Sequence, residues 1–192
     1  MSILTVPHPT LRQITTEVTD IDSKLHATLA ELEHNLVGHD RGVGLAAVQV
    51  NVPVRVFSTY LSKDGDRDED RIFRLFINPV LVKTYGKSEL GGDGDSTPLE
   101  GCLSIPLYYG PVPRFFKLKL EYSTLENSTL VTHQEEFSDF AARVVQHELD
   151  HLDGVLFTDY SLEYDLPLYK ENDTTKKLEE LSDHERSMFE MI

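Results

Sequence analysis

The chain is short of several features that would assign it to a class at once. It has one cysteine, Cys102, so no internal disulfide can form, and it has no tryptophan. Only 18 Lys and Arg stand against 33 Asp and Glu, a formal net charge of -15. A field of that sign repels phosphate backbones, so direct nucleic acid binding is not expected. No long uncharged apolar run is present, which argues against a transmembrane helix, and no membrane association is expected. The opening MSILTVPHPT lacks the basic start and apolar segment of a secretory signal, so residence in the cytoplasm is the expectation.

What remains is an acidic chain of 192 residues with 40% apolar content, enough for one domain with a substantial core spanning 1–192. Residues 1–20 read as an extended or looped arm. From Asp22, apolar positions at Leu25, Leu29, Leu32 and Leu36 recur every three or four residues, predicting a helix that Gly38 ends. Residues 52–60, 72–83, 115–122 and 130–137 read as strands, with Asn78-Pro79 as a bend or edge feature. The charged stretch 61–71 has aspartates spaced like a calcium loop, but Glu69 and Leu75 occupy the glycine and bidentate glutamate slots, so it reads as a solvated hairpin tip. Ser138 or Asp139 can cap a helix that runs to Leu152 and stops at Gly154. Residues 174–191 read as a weakly amphipathic helix within an acidic tail, about 165–192. The fold class expected is α+β, with small antiparallel or mixed sheets around a central motif-bearing helix.

That helix carries Gln146-His147-Glu148-Leu149-Asp150-His151. One helical turn separates His147 from His151, so both imidazoles can bind one divalent ion while Glu148 approaches a water. A third ligand is needed. Glu163 is one candidate, in a stretch that reads as a loop. Cys102, in Glu100-Gly101-Cys102-Leu103-Ser104, is the better one: two imidazoles and a thiolate leave one position open, the layout of a catalytic site. Asp150 and Asp153 either face solvent or orient a histidine through its second ring nitrogen. Isolated histidines, His39 among them, are not promoted to ligands.

Together with Gly42-Val43-Gly44-Leu45-Ala46-Ala47-Val48-Gln49, those two stretches form an ordered set of three that resembles the signature motifs of peptide deformylases. The likeness includes His8-Pro9-Thr10-Leu11-Arg12 and Asn78-Pro79, and covers about the first 160 residues. It implies removal of the formyl group from formyl-methionyl nascent peptides. Cys102, His147 and His151 would hold the metal, ferrous iron, with zinc, nickel or cobalt able to replace it in purified protein. Glu148 would be the general base, and the Gln49 amide and Leu103 N–H would stabilise the developing oxyanion. The Gly44 backbone would bind the substrate chain as a neighbouring strand does, with Val43, Leu45, Leu103, Phe140 and Val144 lining a methionine pocket. Val144 can equally be plain core.

The pattern departs from the family in three places. Val48 precedes the motif glutamine. An aromatic pair, Tyr108-Tyr109, stands in the loop that commonly supplies a peptide-binding arginine, so recognition beyond methionine is expected to rely more on apolar contact. The tail mixes Lys176 and Lys177 with Glu179, Glu180, Asp183 and Glu185, unlike the basic helix some members dock on the ribosome, so only transient ribosome proximity is expected. A monomer is the expected state. The competing readings are another metallohydrolase using Glu163, and a metal-binding relative without turnover.

Overall fold

The computed structural model describes residues 2–62, 70–92 and 98–191. Most of the charged 61–71 stretch, including its calcium-loop and hairpin-tip readings, and the 93–97 loop lie outside the described residues. Two antiparallel sheets carry the fold. The larger contains β1 (Gly44–Ala46), β2 (Val56–Leu61), β3 (Ile72–Leu90), β6 (Pro113–Glu126) and β7 (Thr129–Ser138) in the order β1-β2-β3-β6-β7. The smaller contains β4 (Glu100–Cys102), β5 (Ile105–Gly110), β8 (Tyr169–Glu171) and β9 (Leu178–Glu180) in chain order.

Side chains alternate across the larger sheet, and each face is covered by one helix. Register pairs Phe57 with Phe76, and their rings stack at 4.6 Å. Both join Leu118, Leu120 and Phe137 in a core closed by Ala142, Val145, Leu149 and Leu152 of α2 (Asp139–Leu152). The adjacent pair, Val56 and Ile77, faces the other way, onto Leu25, Leu29, Leu32 and Leu36 of α1 (Ser23–Val37). α1 begins where expected, because Asp22 accepts the Leu25 N–H at 2.8 Å. Ser138 occupies the cap position of α2, but its hydroxyl makes no capping bond.

Local polar side chains account for several boundaries. Asn78 sits at a bulge in β3 and is more than a bend: its amide accepts the Val18 N–H at 2.8 Å and donates to the Val18 carbonyl at 2.9 Å, fixing the arm to the sheet. The arm is further held by Leu4 N–H to the Gln49 carbonyl and Val6 N–H to the Ser104 carbonyl, at 2.8 and 3.0 Å. Arg12 clamps Asp159 with two bonds of 2.6 and 2.8 Å. Gly154 takes φ 74° at the end of α2, and a Cβ there would lie 2.7 Å from the Arg12 carbonyl oxygen.

The helix expected over 174–191 does not form. Asn172 Oδ1 accepts from the N–H groups of Thr174 and Thr175, both at 3.0 Å, and that turn folds β9 back on β8. Only α4 (Asp183–Arg186) and a final 3-10 turn follow, and Phe189 packs edge-on against Tyr108 with ring centroids 5.1 Å apart. The loop expected around Glu163 is instead the end of α3 (Phe157–Glu163). No helix among the described residues is long and apolar enough to cross a membrane.

Candidate active site

α2 carries both histidines on the side opposite its core-facing residues, and β4 ends beside them. The ligand atoms of Cys102, His147 and His151 all lie within 4.8 Å of one another. It is the one such group of His, Cys, Asp or Glu among the described residues. Cys102 Sγ is 3.2 Å from His151 Nε2, and the histidine ring centroids are 4.9 Å apart. A soft sulfur and two imidazoles fit a transition metal, and their spacing leaves a side open to the cavity. Glu163, on an exposed helix end, is not part of the group.

Glu100 sets the ring of His147. Its Oε2 is 3.0 Å from His147 Nδ1, which directs the other ring nitrogen toward the site. Arg114 grips the same carboxylate with two bonds of 2.9 Å, and Arg143 adds one of 3.0 Å. Burial alone would raise the Glu100 carboxyl, but the Arg114 charge and the His147 hydrogen bond more than offset it and hold it well below the usual range. Asp150 takes neither role expected of it: it pairs with Arg114 at 2.6 Å and accepts from the Tyr160 hydroxyl at 3.2 Å. Burial, then the Asp150 charge, push the Tyr160 phenol up to about 12. Asp153 pairs with Arg55 at 2.7 Å.

Glu148 has a contrasting environment. Its side chain is buried and Oε2 has no hydrogen-bond partner among the described residues. Burial raises the carboxyl from 4.5 to about 7, against the opposing pull of His147. It fits only because position 44 is glycine: a Cβ there would stand 2.2 Å from Glu148 Oε1.

Gln49 is buried in the 3-10 turn Ala47–Val50. Its Oε1 accepts the Ala46 N–H at 2.8 Å, which orients Nε2 toward Ser104 Oγ at 3.0 Å and Cys102 Sγ at 3.6 Å. Sulfur is the weaker acceptor of the two, so the N–H aimed at it is the one a stronger acceptor in the cavity would take. His151 is held well below its ordinary range by burial and by His147. His147 is raised by bonds to Cys102 and Glu100 despite burial.

A cavity of about 320 Å³ opens over these groups. Val43, Gly44, Leu103, Phe140 and Val144 line it, as do Gln49 and two members of the candidate ligand group, Cys102 and His147. Leu45 is a correction: it is wholly buried among the α1-facing residues and does not line the cavity. Strand alternation is the reason, since Gly44 meets Glu148 on the α2 side and its neighbour must point the other way. His39, Arg41, Tyr108, Tyr109 and Arg143 also line the cavity. Arg41, Arg114 and Arg143 were not legible as site residues, since each acts through partners far away in the sequence. β1 is an edge strand. The Tyr60 N–H bonds the Val43 carbonyl at 2.9 Å, so alternation turns the N–H and C=O of Gly44 away from β2, toward the open edge.

Known proteins share this arrangement of elements. The family model described as polypeptide deformylase matches residues 1–165. A peptide deformylase of Helicobacter pylori (strain Shi470) is 35% identical over 188 residues, covering 97% of each chain. One from Phenylobacterium zucineum is 36% identical over 159 residues, 82% of this chain and 85% of that protein. Among solved structures, the Thermotoga maritima peptide deformylase superposes with a TM-score of 0.68 at 32% identity, covering 83% of this chain and 95% of its own. An Acinetobacter baumannii class I type b peptide deformylase, bound to Met-Ala-Ser, superposes at 0.70 with 26% identity, covering 83% and 97%. With the motif residues converging on one cavity and the match running through most of its length, the chain belongs to the peptide deformylase family.

Proposed function

We propose that this deformylase hydrolyses formyl-methionyl peptides with ferrous iron held by Cys102, His147 and His151, and with Glu148 as general base. The observation that carries the reading is the buried, unpartnered Glu148 carboxylate on the same cavity as a three-ligand cluster. A divalent ion in that cluster supplies Lewis acidity, which lowers the pKa of a water and polarises a carbonyl. Sulfur and nitrogen donors accept iron, zinc, nickel or cobalt, and iron is the metal proposed for the cell.

Each remaining step belongs to the chain's own groups. Glu148 takes a proton from the attacking water as the new C–O bond forms at the formyl carbon, and its burial favours holding that proton. Negative charge builds on the former carbonyl oxygen, where the Nε2–H of Gln49 that points toward Cys102 and the Leu103 backbone N–H donate to it. One such donor is typically worth about 3 kcal/mol. Glu148 then returns the proton to the departing amine as the C–N bond breaks, releasing formate. Val43, Leu103, Phe140 and Val144 take the methionine side chain, and the open backbone groups of Gly44 hold the peptide as an added strand.

The protein acts as a single catalytic domain, a monomer in the cytoplasm, with no more than transient proximity to the ribosome. Formate release from a formyl-methionyl peptide by anaerobically iron-loaded protein tests the reading. Rapid turnover is expected; iron demonstrably bound without turnover overturns it.

A further inference from the structure

An extended peptide laid along the open edge of β1 has only one way to leave. At the far end of β1 the Ala46 N–H is already taken by Gln49 Oε1, at 2.8 Å. With its formyl end at Glu148, beside Gly44, the chain must therefore run antiparallel to β1, past Val43 and Gly42 toward Arg41. Arg41 is three positions from Gly44, at most about 10 Å along the backbone, and extended peptide advances about 3.3 Å per residue. Arg41 therefore meets the second or third residue after the methionine.

Arg41 lines the cavity and is held there. Its Nη1 donates to the Tyr109 hydroxyl and to Glu171 Oε2, both at 3.2 Å. Glu171 is itself buried, which anchors the arginine to β8. Both bonds use one nitrogen, and Nη2 and Nε make no hydrogen bond among the described residues. A guanidinium has five N–H donors in a planar fork suited to carboxylate, so this one keeps donors to spare. Arg71 lies beside the Gly42 carbonyl and Lys176 beside Glu171, with Asp40 and Asp70 as sequence neighbours of Arg41 and Arg71, so the charge that faces the cavity here is that of Arg41 itself.

We propose that Arg41 is a specificity-determining residue that selects formyl-methionyl peptides with an acidic side chain at the second or third position after methionine. The proposal rests on the deformylase reading. It adds a charged contact to the more apolar recognition expected from the Tyr108-Tyr109 loop, since Tyr109 helps place the guanidinium.

The test compares kcat/KM for formyl-Met-Ala-Asp-Ala-amide and formyl-Met-Ala-Ala-Asp-amide with their lysine counterparts, on the iron-loaded full chain. At least a fivefold preference for aspartate in one pair is expected, carried by KM, and shrinking toward 1 M salt, where the Debye length is about 3 Å. In Arg41→Gln the ratio should fall to about one, in Arg41→Glu it should invert, and Arg41→Lys should restore part of it. A ratio near one in the parent, or one that Arg41→Gln leaves unchanged, overturns the selection while leaving the deformylase reading intact. Failure to cleave any of these peptides, formyl-Met-Ala-Ser included, overturns both.

Discussion

Two buried carboxylates flank His147, and their surroundings differ in every respect. Glu100 is gripped by two arginines and a histidine, whereas Glu148 has an oxygen with no partner and rests against a glycine. The first is a charge made permanent by its neighbours; the second is left close to its titration point, where it can take and return a proton. On the proposed function, the satisfied carboxylate is the one that positions and the other the one that reacts.

Removing the reactive member should give the largest effect. Glu148→Gln keeps the shape, so metal content should hold while kcat drops by roughly 10²–10⁴, the usual worth of general base catalysis; near-parental formate release would erase the contrast. Glu100→Gln should act on the scaffold instead. It removes the charge facing two buried guanidinium groups, of which Arg114 keeps Asp150 and Arg143 keeps the Val112 carbonyl, so the loss should stay at or below the roughly 3–5 kcal/mol of a fully broken buried pair, visible in urea unfolding. Metal affinity should fall about 10–100-fold with it, as for other groups that orient a ligand, read by chelator competition. Gly44→Ala should cost about 1–3 kcal/mol of overpacking while pushing Glu148 out of place, so turnover should suffer more than melting temperature.

The smallest effect should lie in how pH acts on the metal-stripped protein, where the two carboxylates have opposite signs. Glu100 has a lowered folded pKa, so its contribution is present above its unfolded value of about 4.5 and is lost as pH falls below it. Glu148 is raised from 4.5 to about 7, so it favours folding at low pH and that advantage fades as pH climbs through this window. Glu148→Gln should therefore be more stable than the parent above pH 7 and indistinguishable near pH 4, by thermal melts. A pH-independent difference would show that Glu148 is not the strained group.

Much of this was legible in the sequence, and the rest has physical causes. The spacing of Leu25 to Leu36 and of Ala141 to Leu152 marks two amphipathic helices because a 3.6-residue period needs only local information. His147, His151 and Cys102 were readable as a ligand set from residue chemistry. The Glu100–Arg114–Asp150 network was not, because its members sit on β4, β6 and α2 and meet only through the tertiary fold. Leu45 was misplaced because three residues of β1 are too few to display an alternation. The tail read as helix since its charges obscure the Asn172 turn, whose side-chain bonds to Thr174 and Thr175 compete with helical ones.

The N-terminal arm, fastened by Leu4 to Gln49, by Val6 to Ser104 and by Thr15 to the Leu152 carbonyl, also governs when the enzyme can come into being. These contacts join the arm to residues 49, 104 and 152, the last of them at the end of α2. Non-local closures of this kind slow folding, because loop entropy is lost before the contacts reward it. While the chain is still emerging, the arm has no α2 to fasten to, and the ligands on β4 and α2 cannot yet meet. Assembly of the proposed metal site thus waits for α2, long after the arm itself has been made.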